Sequence, residues 1–138
     1  MERIYTTEPA LQIENLSKQY PSAKNFALDD FSMSCYPGEI VGLLGHNGAG
    51  KSTTLKCVTG ILPYSKGSII VNGYDISKDP VKAKSTFGFV SDKHDVFVKL
   101  TGLQYIDFMA NAYGVSVEDR KRRLEKLDEV FCLGNRIF

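Results

Sequence analysis

Tryptophan is absent, cysteine is scarce and no long apolar run occurs in this 138-residue chain. The three cysteines, Cys35, Cys57 and Cys132, are odd in number, widely spaced and free of any C-x-x-C pair. Neither a disulfide framework nor a zinc site is indicated, and the thiols read as reduced, as in a cytosolic protein. Cys57 lies near the apolar residues Leu55 and Val58 and is expected to pack as a small buried hydrophobe. No stretch approaches the ~18 consecutive apolar residues of a membrane helix, and the opening MERIYTTEPA lacks the apolar centre of a secretion signal. Work at a membrane would need another anchor. Charge of either sign is not in excess either: a net charge of +1 offers no electrostatic footprint for nucleic acid or a lipid surface. What is present, 43% hydrophobic and 24% charged residues, describes one globular domain able to bury a core.

Gly45 to Ser52 reads GHNGAGKS and fits the phosphate-loop pattern of glycine, four residues, glycine, lysine, then serine or threonine. At ordinary residue abundances such a match arises by chance in roughly one chain of this length in several hundred. Its surroundings are also right, with the apolar run Glu39 to Leu44 before it and the helix-like Thr53-Thr54-Leu55-Lys56 after it. Holding phosphates beside a polypeptide calls for backbone N–H groups curled at a helix N-terminus. Gly45, Gly48 and Gly50 are expected to take positive φ and let that backbone approach closely. Lys51 adds a full charge for the β- and γ-phosphates, and the Ser52 hydroxyl can ligate the magnesium that travels with a nucleotide.

Along the chain, Leu11, Ile13 and Leu16 mark a strand, and Leu28, Phe31, Met33 and Cys35 another, as an antiparallel pair with one wet face. Pro37-Gly38 turns into Glu39 to Leu44, whose near-continuous apolar character fits a central strand buried on both faces. A helix from about Gly50 to Thr59 should stop at Gly60. Ser68 to Val71 reads as a strand followed by the hairpin-type turn Asn72-Gly73. Asp79-Pro80 opens a short helix to about Ser85, and Phe87 to Val90 reads as a further strand. Thr101 caps a helix whose Leu103, Ile106, Met109 and Ala110 share a face until Gly114. Ser116, with Asp119 three residues on, opens another, with Leu124, Leu127, Val130 and Phe131 as its apolar stripe. The basic run Arg120 to Arg123 reads as a solvated helix face with i,i+4 ion pairs Glu118/Arg122 and Asp119/Arg123.

LSKQYP ahead of GHNGAGKST, with GSIIVNGYDI and FGFVSD behind it, resembles the ATP-binding cassette (ABC) family from about Leu11 to the end of the chain. GLLGHNGAGKSTTLK and the helix opened by LTG are similar to the ATPase subunits of bacterial export systems. The resemblance implies an α/β P-loop NTPase fold: a mixed sheet with antiparallel N-terminal strands and a central strand carrying the loop, plus the start of a helical subdomain. It makes residues 1–138 the N-terminal part of one ABC-type ATP-binding domain, with about 11–100 as nucleotide-binding core and about 101–138 as the helical start.

The ligands so implied are ATP and Mg2+. Tyr20 becomes the aromatic that stacks on adenine. Gly45, His46, Asn47, Gly48, Ala49, Gly50, Lys51, Ser52 and Thr53 fall on the family's phosphate and magnesium positions, His46 as a spacer within the loop. Asp92 stands where the family has a glutamine that senses magnesium and the attacking water. An aspartate can ligate magnesium through oxygen, but it lacks the amide donor and is one methylene shorter. His94 and Asp95 beside it read as solvated loop residues. The partners implied are an integral membrane transporter subunit, approached through apolar residues such as Phe97, Tyr105 or Phe108, and a second ATP-binding subunit. No nucleic acid is expected. The implied location is cytoplasmic, peripheral at the inner face of the cell membrane.

The family's serine-glycine-glycine signature, its apolar strand ending in aspartate and catalytic glutamate, and its switch histidine do not occur in these 138 residues. The expectation is an incomplete ABC-type ATPase that binds ATP through Lys51 but hydrolyses it poorly alone, and whose unpaired apolar edge favours association. In full length it would couple ATP binding and hydrolysis to transport, as a subunit of an exporter. A soluble non-transport ABC ATPase and a non-catalytic nucleotide-binding fragment stay open as alternatives. A GTPase would need an Asn-Lys-x-Asp motif, which is absent, and a small-molecule kinase fits poorly with the strand pair and Tyr20 ahead of the loop.

Overall fold

The computed structural model describes residues 8–91, 99–132 and 134, in two compact units, Met1–Phe89 and Val90–Phe138. In the first unit β1 (Leu11–Gln19), β2 (Phe26–Cys35), β3 (Lys66–Val71) and β4 (Tyr74–Asp75) form an antiparallel sheet in the order β2-β1-β3-β4. The expected strand pair and the strand after it are therefore present. The Asn72-Gly73 turn has positive φ at both residues, 47° and 81°, which is the geometry that joins two tightly paired strands.

Strict alternation would put Ile13 and Leu16 on opposite faces of β1, yet both are buried. A register shift between them resolves the conflict, with Asn15 in the left-handed region at φ 48°. Opposite it Asp30 is left-handed as well, and the Asn15 side-chain amide donates to Asp30 Oδ1 at 2.7 Å. On the other side Gly67 approaches so closely that a Cβ there would stand 2.5 Å from the carbonyl oxygen of Glu14. The bulge is thus built from three strands, and its effect is to turn the second half of β1 inward.

α1 (Lys51–Val58) and α2 (Pro80–Ser85) complete the core, which consists of Ile13, Leu16, Leu28, Cys57, Ile69, Val71, Ile76 and Ala83. Ile13, Leu16 and Ile69 are fully buried, each stabilising by about 1.5–3 kcal/mol relative to exposure. Cys57 is buried as expected. α1 ends at Thr59, and Gly60 at φ 64° turns the chain away.

Two expectations fail here. Glu39 to Leu44 is not a strand, and neither is Phe87 to Val90. Ile40, Leu44 and Val90 are almost entirely exposed. The physical reason is that a strand buried on both faces requires a ladder on both edges, and among the described residues no strand pairs with either run. The feature that does hold the start of the first run is local: Glu39 N–H donates to the Tyr36 carbonyl at 3.1 Å, and Tyr36 N–H to Glu39 Oε2 at 2.8 Å.

The second unit is a pair of helices, α3 (Gly102–Ala112) and α4 (Val117–Phe131). Thr101 and Gln104 make a reciprocal capping box, and Ser116 Oγ accepts from Asp119 N–H at 3.1 Å. Arg120 of α4 pairs with Asp107 of α3 and donates to Asn111 Oδ1 at 3.1 Å, tying one helix to the other. Among the described residues the expected i,i+4 pairs give way to this link and to an i,i+3 pair between Arg122 and Asp119. Leu103, Ile106, Met109 and Ala110 form the less exposed face of α3, whereas Leu127, Val130 and Phe131 lie open on α4. No described helix is long and apolar enough to cross a membrane.

Candidate functional site

The loop from Gly45 to Gly50 opens helix α1, whose N-cap, Gly50, sits in the left-handed region at φ 87°. Nothing but glycine fits there: a Cβ would stand 2.6 Å from both the Ala27 carbonyl oxygen and Leu28 Cδ2. The loop is therefore seated against β2 by its last glycine. Gly48 also takes positive φ, 88°, but in open space. Gly45 differs from expectation. Its φ is not positive, and the space beside it is tight instead, a Cβ there standing 3.0 Å from the Ala49 methyl.

No side chain caps α1 and no acidic residue lies in its first turn, so its leading N–H groups and the positive end of its dipole are presented to an anion. Lys51 bends back over the loop, its Nζ donating to the carbonyls of Gly45 at 2.6 Å and His46 at 2.8 Å. An ammonium has three donors, so two orient the lysine and one is left over. His46 Nδ1 lies 2.8 Å from the Asn47 carbonyl, an oxygen that can only accept, so Nδ1 is the nitrogen that donates. Ala49 N–H donates to His46 O at 3.1 Å and closes the turn. Thr54 Oγ1 donates to Gly50 O at 3.0 Å and anchors the first turn from inside.

Tyr20, just beyond β1, meets this loop. Its hydroxyl stands 3.4 Å from Thr53 Oγ1, so a residue picked out for adenine lies beside one picked out for phosphate, more than thirty positions apart. Ser52 is exposed at the mouth of the loop, where a phosphate-bound cation could reach its hydroxyl. Among the described residues no group of three His, Cys, Asp or Glu could hold a metal by itself. Asp92, with His94, Asp95 and Phe97, lies outside the described residues. Sequence reasoning did not single out Lys18, a largely buried residue whose ammonium lies 5.4 Å from the Tyr20 ring centroid. Burial pushes the Cys57 thiol up, and the nearby Lys18 charge partly offsets this.

A strand pair seated under a glycine-capped helix, with a lysine folded over the connecting loop, defines a protein of the P-loop class. The chain belongs to the ABC transporter family, whose model matches residues 28–136. It is part of a nucleotide-binding domain related to those of bacterial export-type ATPases. It is 37% identical over 126 residues to the linearmycin resistance ATP-binding protein LnrL of Bacillus subtilis (strain 168), covering 91% of this chain and 40% of that protein. It is 35% identical over 127 residues to the ABC-type transporter ATP-binding protein EcsA of the same organism, covering 92% and 51%. A solved structure of an ATP binding subunit of an ABC transporter matches with a TM-score of 0.83 at 33% identity, over 93% of this chain and 52% of that one. The chain thus spans about half or less of the length of these relatives.

Proposed function

We propose that the loop Gly45–Ser52 and the start of α1 hold the triphosphate of ATP, with Tyr20 stacking on the adenine. The observation that carries this reading is Lys51, oriented over an uncapped helix N-terminus by two loop carbonyls, with Tyr20 at 3.4 Å from Thr53 on the same rim. The backbone N–H groups of the loop, including those of Asn47, Gly48 and Ala49, surround the phosphates. Ser52 ligates magnesium, and Asp92, at the family's glutamine position, is a further magnesium ligand. Bound magnesium neutralises charge developing on the transferred phosphoryl group.

Residues of about 11–100 act as the nucleotide-binding core, and those of about 101–138 begin the helical part that faces a membrane-embedded transporter subunit. In a longer protein this domain pairs with a second ATP-binding domain at the inner face of the membrane and drives export. The exposed apolar side chains of Tyr105 and Phe108 support that reading of the helical part. By itself the chain binds ATP without appreciable turnover, because the family's apolar strand ending in aspartate and catalytic glutamate, which positions the attacking water, does not occur in these 138 residues. The test measures ATP binding by calorimetry and phosphate release in the same preparation. Binding with release no faster than that of Lys51→Ala is expected; release that is rapid and abolished by Lys51→Ala would overturn the claim of poor turnover.

A further inference from the structure

Lys18 is only 7% exposed as a residue, its stem covered at the end of β1, and among the described residues no carboxylate pairs with its ammonium. What faces the charge is the ring of Tyr20, 5.4 Å away at its centroid, within the range of a cation–π attraction. The same charge is felt at Cys57 in α1, so it lies where the end of β1 meets the helix that carries the phosphate loop. Tyr20 is thereby fixed at two points, its ring by Lys18 and its hydroxyl by Thr53 at 3.4 Å.

We propose that Lys18 is a positioning residue for the adenine platform: its ammonium holds one face of the Tyr20 ring, leaving the other face set for the base. The inference rests on the nucleotide reading above. Lys18 touches no part of the nucleotide. It acts through Tyr20, by removing the ring's freedom to swing away and by giving one face a fixed charged support for stacking.

The test compares ATP with inorganic tripolyphosphate, which has the phosphates but no base, by calorimetry on the chain. Lys18→Met keeps the aliphatic stem and removes the charge; it is expected to weaken ATP binding roughly three- to fivefold. Tripolyphosphate binding should be unchanged, which also reports that the loop is still folded. Lys18→Arg should restore ATP affinity, and in a Tyr20→Leu background Lys18→Met should have no further effect on ATP. Unchanged ATP affinity in Lys18→Met, an equal loss for tripolyphosphate, or a loss that persists without Tyr20 overturns the proposal. Failure of the nucleotide reading looks different: Lys51→Ala would then keep its affinity for both ligands.

Discussion

Ile69-Ile70-Val71 and Ile40-Val41-Gly42-Leu43-Leu44 are apolar runs of similar character with opposite fates. The first lies in β3, paired with β1 on one edge and β4 on the other, and Ile69 is fully buried. The second has no ladder among the described residues, and Ile40 and Leu44 face solvent. Composition alone does not separate them. What does is partnership: β3 finds β1 through a hairpin-rich antiparallel order available within the chain, whereas a strand leading into a phosphate loop is of the parallel, doubly buried kind that needs neighbours on both edges. The phosphate loop is nevertheless formed. Gly50 seats it against β2, and α1 anchors it to the core through Thr54 and Cys57, so the loop borrows its rigidity from the side that is complete.

The sharpest way to break this comparison is a matched pair of truncations. Ile69→Ala should destabilise the chain by about 2–5 kcal/mol, measured as a shift of the urea midpoint. Ile40→Ala should stay within about 0.5 kcal/mol. Equal losses would mean that the second run is packed in solution after all. Next in size is Gly50→Ala, which forces a side chain into the left-handed region and against the Ala27 carbonyl; about 1–3 kcal/mol of strain is expected, read as a lowered melting temperature. Gly48→Ala shares the positive φ but has open space around it, so it should cost less. Smallest in stability is the double change Ile40→Lys with Leu44→Lys, expected within about 0.5 kcal/mol. Its effect should appear in association: sedimentation should show the wild-type chain self-associating and the double variant less so. A wild-type chain that sediments as a monomer would contradict this.

Much of the fold was legible because its signals are local. The turn Asn72-Gly73, the stop at Gly60, the caps Thr101 and Ser116 and the pair of strands ahead of the loop all depend on residues close in sequence, and the structure has them where they were expected. The bulge at Asn15 was not legible. It is made by Asp30 and Gly67 acting from two other strands, and beyond it Leu16, Ser17 and Lys18 are all buried. The cross-helix link of Arg120 escaped for the same reason, since its partners Asp107 and Asn111 belong to another element. The strand Glu39 to Leu44 was misread because apolar content reports a wish to be buried and is silent on whether a partner exists. At the site the loop residues were evident from their spacing alone. The adenine role of Tyr20 came from family resemblance alone; the approach of its hydroxyl to Thr53 at 3.4 Å was not legible in the spacing.

The central claim is that the loop from Gly45 to Ser52 holds nucleotide phosphates, with Lys51 as its charged contact. The most direct measurement is the dissociation constant for ATP of the wild-type chain and of Lys51→Ala, under one ionic strength and with magnesium present. Loss of a charge-assisted contact of about 1.5–3 kcal/mol predicts roughly ten- to a hundredfold weaker binding in the variant. An unchanged dissociation constant would contradict the account.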